Sequence, residues 1–557
     1  MVNIFFREIR SRGAWHIPRE GPVIFAAAPH NNEYIDVLPG LEIYRETGRK
    51  VQFLATAKNV QKKFIGFFVR IVSSIPVIRA IDNAKLGTGL ITLSDEDPCL
   101  VIGVGTKFTE EITPRMQIML PKFMNLLVAE VVEVISDAQL RIKEEFGGDS
   151  EKGAARIREK LKELRAVGKQ GVGFNRLPYV DQQELYHHVH QCLKRGGCIA
   201  IYPEGRSHDR TDFLPLKAGV SLMALSVMAN DPDVQVKIVP VGLSYSHPHR
   251  FRSRAAVEFG TALDVPEELI AMYKEGGTQK RQAVAKLLDI VYDALKTVTT
   301  RAPDYETLTL CQAARRLYET PGQHLTPGQV VELDRRFLKG YVHFKNEPRV
   351  QRLRDDVLKY NRMVRNLGLS DRQVHRAQKA SWKTFGLLLY RLGVLMVWSL
   401  LALPGVILNA PILIATSVIP EKKAKEALAV SVVKISGRDV IASWKIFIAV
   451  GLAPVLYGFY VFLAALIAYK AGAPLTWKIW TPIIVFISLP FVTYAALKFG
   501  EAGMDVFKSL RPLVATLVPS QSRVLDELKT MRTRVANELL EVISEFGPKL
   551  YDDLGTR

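Results

Sequence analysis

Short apolar runs alternate with helical patterns along residues 1–260 of the chain. Five runs have the length of strands and are apolar at successive positions, as in strands buried on both faces of a sheet: 23–28, 51–55, 198–202, 236–241 and 256–259. Apolar positions recur with helical period between some of them, at 180–195 and 216–229. The pattern predicts an α/β fold in which helices flank a mixed sheet.

A different pattern interrupts this alternation at residues 83–150. Gly, Pro and Asp separate five short apolar stretches there, with no helix-length pattern between them: LITL, CLVIGVG, MQIML, LLVAEVVEVI and AQLRI. This series predicts a small all-β insert between two parts of one domain, 1–82 and 151–262. Helical patterns dominate the extension at 263–383, and the last segment, 499–557, is predicted to be an amphipathic cytosolic tail.

The longest apolar runs lie in the C-terminal third, which is predicted to be a membrane anchor. The first, at 384–419, is about 35 residues long and exceeds one crossing of about 30 Å of hydrocarbon. Pro404, Asn409 and Pro411 interrupt it, which predicts a helical hairpin whose return is either transmembrane or re-entrant. Two more runs of about 20 residues predict a transmembrane hairpin at 446–498. Buried helices of a soluble core are the alternative.

The charges of the loops predict the orientation of this anchor. Six Lys or Arg lie in the loop predicted at 420–445, whereas the short loop at 470–478 carries two. Positive residues favour the cytosolic side, so two hairpins place both termini and the soluble region in the cytosol. The N-terminus lacks the apolar run and cleavage site of a secretory signal peptide.

Composition narrows the class of protein further. Of 557 residues, 48% are hydrophobic and 24% are charged, which excludes wholesale disorder, and four Cys are too few for a disulfide scaffold. No second Cys/His pair stands at zinc-finger spacing, so no metal is predicted. The net charge of +19 suits nucleic acid, a membrane surface or an anionic metabolite, and +13 of it falls on residues 1–384.

Polar residues follow four of the apolar strands, at the edge where open α/β sheets build their sites. His30 and Asp36 follow the first, and a carboxylate beside an imidazole makes it a better general base. Arg79 ends a further short apolar strand, in SSIPVIRAID, where its guanidinium matches a phosphate. Pro240 lies within the fourth. The third is followed by the densest set of polar and charged residues, among them Glu204, Gly205, Arg206, Ser207, Arg210 and Lys217.

These places have simple alternative interpretations when each is taken alone. His30 and Asp36 are then an unrelated pair on a surface loop, and Arg79 is a surface ion pair. The third place is harder to explain in this way, because so many charges on a turn after a buried strand are costly unless they line a polar site.

Taken together, the four places resemble the four blocks of the glycerolipid acyltransferase superfamily. The matching stretches are PHNNEYID, IPVIR, YPEGRS and IVPV. The β-rich insert, the extension SHDRTDFLPLKAGV and the C-terminal hairpins resemble the fungal glycerol-3-phosphate/dihydroxyacetone-phosphate acyltransferases. Five residues separate His30 from Asp36 where the superfamily has four, and EGRS replaces EG[TG]RS. Neither spacing places the pair on one helical face, so His30 is expected at or before a helix start, or beside a local bulge.

The resemblance implies an acyltransferase-type fold and a glycerol-3-phosphate 1-O-acyltransferase of the endoplasmic reticulum membrane. Acyl-CoA is then the cosubstrate, glycerol 3-phosphate or dihydroxyacetone phosphate the acceptor, and membrane lipid the surroundings, with no bound cofactor or metal. His30 is implied as the base and Asp36 as its support, with Arg79 on the acceptor phosphate. The implied acceptor pocket is completed by Glu204, Gly205 and Ser207, with Arg206, Arg210 or Lys217 as further phosphate contacts.

Three alternatives remain at this point. A 1-acylglycerol-3-phosphate acyltransferase would use the same chemistry on a larger acceptor. A non-enzymatic membrane scaffold would keep the domain without its activity. Nucleic-acid binding is suggested by the net charge alone, because the sequence has no helix-turn-helix, zinc signature or aromatic-rich basic strand pair.

Overall fold

The strands of the protein form two sheets. A computed structural model describes residues 2–71, 74–147, 151–168, 170–319, 325–376 and 381–550. The strands in these ranges are β1 (Phe6–Arg12), β2 (Val23–Ala28), β3 (Val51–Thr56), β4 (Ile75–Val77), β5 (Lys85–Leu86), β6 (Leu90–Leu93), β7 (Leu100–Val104), β8 (Gln117–Met119), β9 (Val128–Ser136), β10 (Gln139–Ile142), β11 (Asn175–Leu177), β12 (Cys198–Ile201), β13 (Lys237–Tyr245), β14 (Ser253–Phe259) and β15 (Leu263–Asp264).

The helices lie between these strands and through the C-terminal half. They are α1 (Val2–Phe5), α2 (Leu38–Thr47), α3 (Ala57–Gln61), α4 (Lys63–Ile71), α5 (Phe108–Glu111), α6 (Glu151–Ala166), α7 (Gln183–Lys194), α8 (Gly219–Asn230), α9 (Glu267–Glu275), α10 (Gly277–Val298), α11 (Tyr305–Tyr318), α12 (Pro327–Phe344), α13 (Pro348–Asn366), α14 (Asp371–Arg376), α15 (Trp382–Leu408), α16 (Ala410–Val430), α17 (Arg438–Lys470), α18 (Leu475–Leu517) and α19 (Pro519–Phe546).

The first sheet has the order β1-β14-β13-β2-β12-β3-β4, with β15 beside β13. Its central pairs are parallel, whereas β13 and β14 are antiparallel, so the predicted mixed α/β sheet is confirmed. All six residues of β2 are buried, because helices α7, α8 and α10 cover one face and α2 lies on the other. The parallel strands β2, β12 and β13 therefore end at one edge, which carries the candidate site.

The second sheet, in the order β5-β11-β8-β9-β10-β7-β6, is the β-rich insert. It extends beyond the boundary expected at residue 150, because β11 pairs with β5 and β8 and α6 packs Ile157 and Leu161 into its core. A strand of three residues gives no periodic signal, so β11 could not be seen in the pattern. The helix α10, expected in a separate extension, packs on the first sheet through Val284, Leu287 and Val291.

Helices α11, α13 and α19 pack around an apolar core of their own. The amphipathic helix expected in the tail is α19, and it buries Leu525, Leu528, Val535 and Leu539 there. This core packs α19 against α11 and α13, which precede the long apolar helices, and it lies apart from the candidate site.

Four long helices, α15 to α18, form the apolar C-terminal region. Three of the helices in the described residues are long and apolar enough to cross a membrane: α15, α17 and α18. The loop expected at 420–445 differs, because α16 continues to Val430 and α17 begins at Arg438. The stretch EKKAKEALA at the end of α16 is charged but consists of strong helix formers, so its charges do not end the helix.

The turn between α15 and α16 lies partway along the two longest helices. The side-chain amide of Asn409 donates to Oγ1 of Thr493 at 3.0 Å, and the hydroxyl of Tyr460 donates to the carbonyl of Leu408 at 2.8 Å. Thr493 and Tyr460 are well inside α18 and α17, whose own connection is at 471–474. The hairpin of α15 and α16 therefore turns back before it reaches the far end of its neighbours.

Candidate active site

His30 and Asp36 lie on the turn that leaves the end of β2. A short 3-10 turn, Glu33–Ile35, separates them, and α2 begins only at Leu38. His30 thus precedes the helix, as its spacing required, and the turn returns Asp36 to it. Nδ1 of His30 lies 2.6 Å from Oδ2 of Asp36. The side chain of His30 is 19% exposed and that of Asp36 only 1%, so the histidine is reachable and the carboxylate is enclosed.

Three further donors hold Asp36 in place. The backbone N–H of Asn32 donates to Oδ2 at 2.9 Å, and the hydroxyl of Tyr245 donates to Oδ1 at 2.6 Å. The hydroxyl of Tyr202 donates to the carbonyl oxygen of Asp36. Burial and the charge of Asp36 raise the pKa of both tyrosines, so each stays a donor. A carboxylate fixed in this way orients the imidazole through Nδ1 and leaves Nε2 free to accept a proton.

The ring of His30 has a partner of its own. It stacks on the ring of Tyr202, with centroids 4.4 Å apart and planes inclined by 23°. Tyr202 directly follows β12, the neighbour of β2 in the sheet. The stacking fixes the plane of the imidazole, and the contact with Asp36 fixes its direction.

Glu204 holds the backbone on either side of His30. Its carboxylate is 2% exposed, and Oε1 accepts from the backbone N–H of His30 at 2.9 Å. Oε2 accepts from the N–H of Leu214 at 2.9 Å and from Nε2–H of His208. The N–H of His208 donates in turn to the carbonyl oxygen of His30 at 2.9 Å. Both oxygens of Glu204 are thus used to shape the turn, and its contribution to an acceptor pocket stays a prediction.

Three cations gather beside this turn. Arg79 makes a bidentate ion pair with Asp82, with N–O distances of 2.9 and 2.8 Å. Burial and the charge of Arg79 lower the pKa of Arg206, while partial burial and the charges of Arg206 and Arg79 lower that of Lys217. Within the described ranges, neither Arg206 nor Lys217 has a carboxylate in an ion pair. One carboxylate among three cations leaves an excess of positive charge suited to an anion.

Gly205 permits the close approach of these cations. Its φ is +68°, a backbone conformation that residues other than glycine rarely adopt. A Cβ added there would lie 3.0 Å from Nζ of Lys217. The glycine of the third block therefore both makes the turn and leaves room for the lysine.

Ser207 and Arg210 face the C-terminal region of the chain. The hydroxyl of Ser207 accepts from Nζ of Lys434 at 3.3 Å. Nε of Arg210 donates to the carbonyl oxygen of Val433 at 2.7 Å. These contacts engage both side chains with the connection between α16 and α17, and their contact with an acceptor stays a prediction.

Sequence reasoning missed Tyr202, Tyr245 and His208. Two of them have a signal in retrospect, because Tyr202 and Tyr245 stand at the ends of β12 and β13, strands that end at the same edge as β2. His208 follows the third block directly, but only the fold brings its N–H to the carbonyl of His30.

The described residues contain no group of three His, Cys, Asp or Glu arranged to hold a metal ion. The acyl donor of the expected reaction is a thioester, which is already activated toward an alcohol.

Comparison with known protein families identifies the chain as an acyltransferase. The family model described as Acyltransferase matches residues 170–244, the part that contains the third and fourth blocks. The model described as Glycerol-3-phosphate acyltransferase 2 C-terminal domain matches residues 310–551, which contain α15 to α19.

Similarity to curated proteins covers nearly the whole chain. An uncharacterized acyltransferase of Schizosaccharomyces pombe is 41% identical over 99% of this chain and 80% of its own length. Glycerol-3-phosphate O-acyltransferases 1 and 2 of Saccharomyces cerevisiae are 41% and 36% identical, each over 99% of this chain and over 71% and 76% of their own lengths. The chain belongs to the family of glycerol-3-phosphate O-acyltransferases.

Proposed function

We propose that this protein transfers a fatty acyl group from acyl-CoA to the sn-1 hydroxyl of glycerol 3-phosphate, and that dihydroxyacetone phosphate is a second acceptor. With glycerol 3-phosphate the products are lysophosphatidate and CoA. One observation carries the proposal: a histidine held by a buried carboxylate adjoins a cluster of three cations. Such a site can activate a hydroxyl and bind a phosphate on the same small molecule.

The proposed reaction is a direct attack of the alcohol on the thioester. Nδ1–H of His30 donates to Asp36, and Nε2 takes the proton of the sn-1 hydroxyl as its oxygen attacks the thioester carbon. The C–O bond forms, the C–S bond then breaks, and the proton passes from His30 to the leaving thiolate. Asp36 stabilises the imidazolium that exists between these two transfers.

The proposed phosphate site consists of Arg206, Lys217 and Arg79. Burial, and after it the charges of neighbouring cations, lower the pKa values of Arg206 and Lys217, and a bound phosphate would relieve the repulsion between these cations. Arg79 forms an ion pair with Asp82, so its positive charge is partly neutralised. We therefore assign the larger share of acceptor binding to Arg206 and Lys217.

We also propose that the enzyme is a multi-pass protein of the endoplasmic reticulum membrane, with the catalytic domain and both termini in the cytosol. The hairpin of α15 and α16 turns beside the middle of α17 and α18, which favours the re-entrant form of the first hairpin. A re-entrant hairpin followed by two crossings returns the chain to the side on which it entered. That topology agrees with the Lys-rich end of α16, since positive charge favours the cytosol.

The proposal is tested with the full chain purified in detergent. Palmitoyl-CoA is supplied with glycerol 3-phosphate, dihydroxyacetone phosphate, 1-acylglycerol 3-phosphate or no acceptor, and free thiol is followed as CoA is released. We expect acceptor-dependent release with the first two compounds. Release with 1-acylglycerol 3-phosphate alone would instead identify an enzyme of the next acylation step.

Arg206→Ala is expected to raise KM for glycerol 3-phosphate about 10- to 100-fold, because a hydrogen bond to a charged group contributes about 1.5–3 kcal/mol. Arg79→Ala should raise the same constant less. KM for palmitoyl-CoA should change little in either variant. The matched control is Arg10→Ala, which removes an exposed arginine of β1. Equal increases in both KM values would move the phosphate site elsewhere.

A further inference from the structure

The connection between α16 and α17 reaches the catalytic turn. Residues 431–443, here named the 431–443 segment, comprise this connection and the first turns of α17. Ser443 is 1% exposed, and its hydroxyl donates to the carbonyl oxygen of Asn32 at 3.1 Å. The hydroxyl oxygen of Ser443 also accepts from the N–H of Tyr34 at 3.2 Å. Ser443 thus holds both ends of the Asn32–Tyr34 stretch.

The contact of Ser443 continues to the reacting pair. The N–H of Asn32 donates to Oδ2 of Asp36, the atom that also contacts Nδ1 of His30. A shift of Asn32 therefore moves a donor of the carboxylate that orients the imidazole. The hydrogen bonds from Ser443 to Asp36 thus pass through one residue, Asn32.

Asp209 fastens the 431–443 segment to the third block. Its carboxylate accepts from the N–H of Ile435 at 2.6 Å and from the N–H and hydroxyl of Ser436 at 2.7 and 2.6 Å. Burial raises the pKa of Asp209, but these hydrogen bonds outweigh it and lower the pKa overall. The carboxylate is therefore a charged acceptor that several backbone donors share, as at the start of a helix.

Further contacts fasten the 431–443 segment to the same residues after β12. Nζ of Lys434 donates to the fully buried carboxylate of Asp439 and to Oγ of Ser207. The backbone of the segment also accepts from Arg210 at Val433. The segment is thus held on the residues that follow β12, on one side, and on the turn that follows β2, on the other.

We propose that Ser443 is a positioning residue of the active site, and that the 431–443 segment holds the catalytic turn from the membrane anchor. The proposal rests on the function proposed above. It assigns to a membrane helix a share in the geometry of the cytosolic site, in addition to anchoring it. Ser443 touches neither His30 nor Asp36 and acts through Asn32.

The test compares Ser443→Ala with Ser417→Ala in the full chain. Ser417 lies on α16, and its hydroxyl donates within that helix to the carbonyl oxygen of Ile414 at 2.8 Å. We expect Ser443→Ala to lower kcat roughly 10- to 100-fold, because small displacements of reacting groups cost rates of that order. Both KM values should stay within about twofold, since the substrate contacts are elsewhere. Ser417→Ala should behave as wild type.

A positioning role is separated from a structural one by two measurements. In the first, the activity of Ser443→Ala is divided by its folded fraction, which is taken from the thermal transition in detergent. In the second, the kcat of Ser443→Thr is measured, and we expect this variant to restore most of kcat because it keeps the hydroxyl. A kcat unchanged in Ser443→Ala, or a loss that equals the loss of folded protein, overturns the proposal. If Ser443→Ala does not fold, Asp209→Asn, which weakens the fastening at the other end, is held to the same criteria. Inactive wild-type protein would instead refute the proposed function.

Discussion

His30→Ala is expected to lower kcat about 10²–10⁴-fold, the usual contribution of a general acid or base. The imidazole is the group that is both reachable and supported by a buried carboxylate, so its removal leaves the sn-1 hydroxyl to lose its proton to water. KM for both substrates should change much less, because the variant leaves the proposed phosphate site of Arg206, Lys217 and Arg79 untouched. The measurement is thiol release from palmitoyl-CoA at saturating glycerol 3-phosphate.

His188→Ala is the matched control for this variant. His188 is an exposed residue of α7 whose Nδ1 contacts the backbone carbonyl of Glu184 within the same helix. Its replacement should leave kcat at the wild-type value. Substantial turnover by folded His30→Ala protein would remove His30 from the role of base.

Asp36→Asn is expected to lower kcat about 10²–10⁴-fold, up to the loss that the same change causes in Ser-His-Asp enzymes. The amide oxygen can still accept from His30 and Asn32, and its NH2 group can face the hydroxyl of Tyr245, so the turn should keep its shape. The charge is lost, however, and the imidazolium that forms during proton transfer is no longer stabilised. The loss should therefore appear in kcat, with the thermal midpoint near that of the wild type.

Asp293→Asn provides the comparison for Asp36→Asn. Asp293 lies on α10 with its side chain 72% exposed, and it pairs with Lys296 in the same helix. We expect wild-type kinetics from it. If Asp36→Asn retains more than a tenth of the wild-type kcat, the carboxylate does not support the base as we infer.

The sheet and the core of the site were predictable from the sequence because their signals are local. The strand β2 is apolar at every position, and His30 and Asp36 follow it within one turn. The third block predicts a polar site because several charged residues directly follow β12. Each signal combines a buried strand with residues that would be costly outside a polar site.

Other parts could not be predicted because they depend on distant contacts. The sequence motif identifies Glu204 but not its partners, which are the N–H groups of His30 and Leu214 and the ring of His208. Charged residues from Glu421 onward suggested a loop, whereas intrinsic helix propensity carries α16 through them to Val430. Ser443 has no signal of its own, since only the docking of α17 brings it to Asn32.

The contact between Ser443 and Asn32 joins residues 411 positions apart. During synthesis, the turn that carries His30 and Asp36 leaves the ribosome long before the helix that contacts it. Chains that have been made only as far as α16, or whose last helices have not entered the bilayer, have the reacting pair without its support. If Ser443 positions the turn as proposed, the enzyme would gain its full rate only when its own insertion is complete, and unfinished chains would spare acyl-CoA.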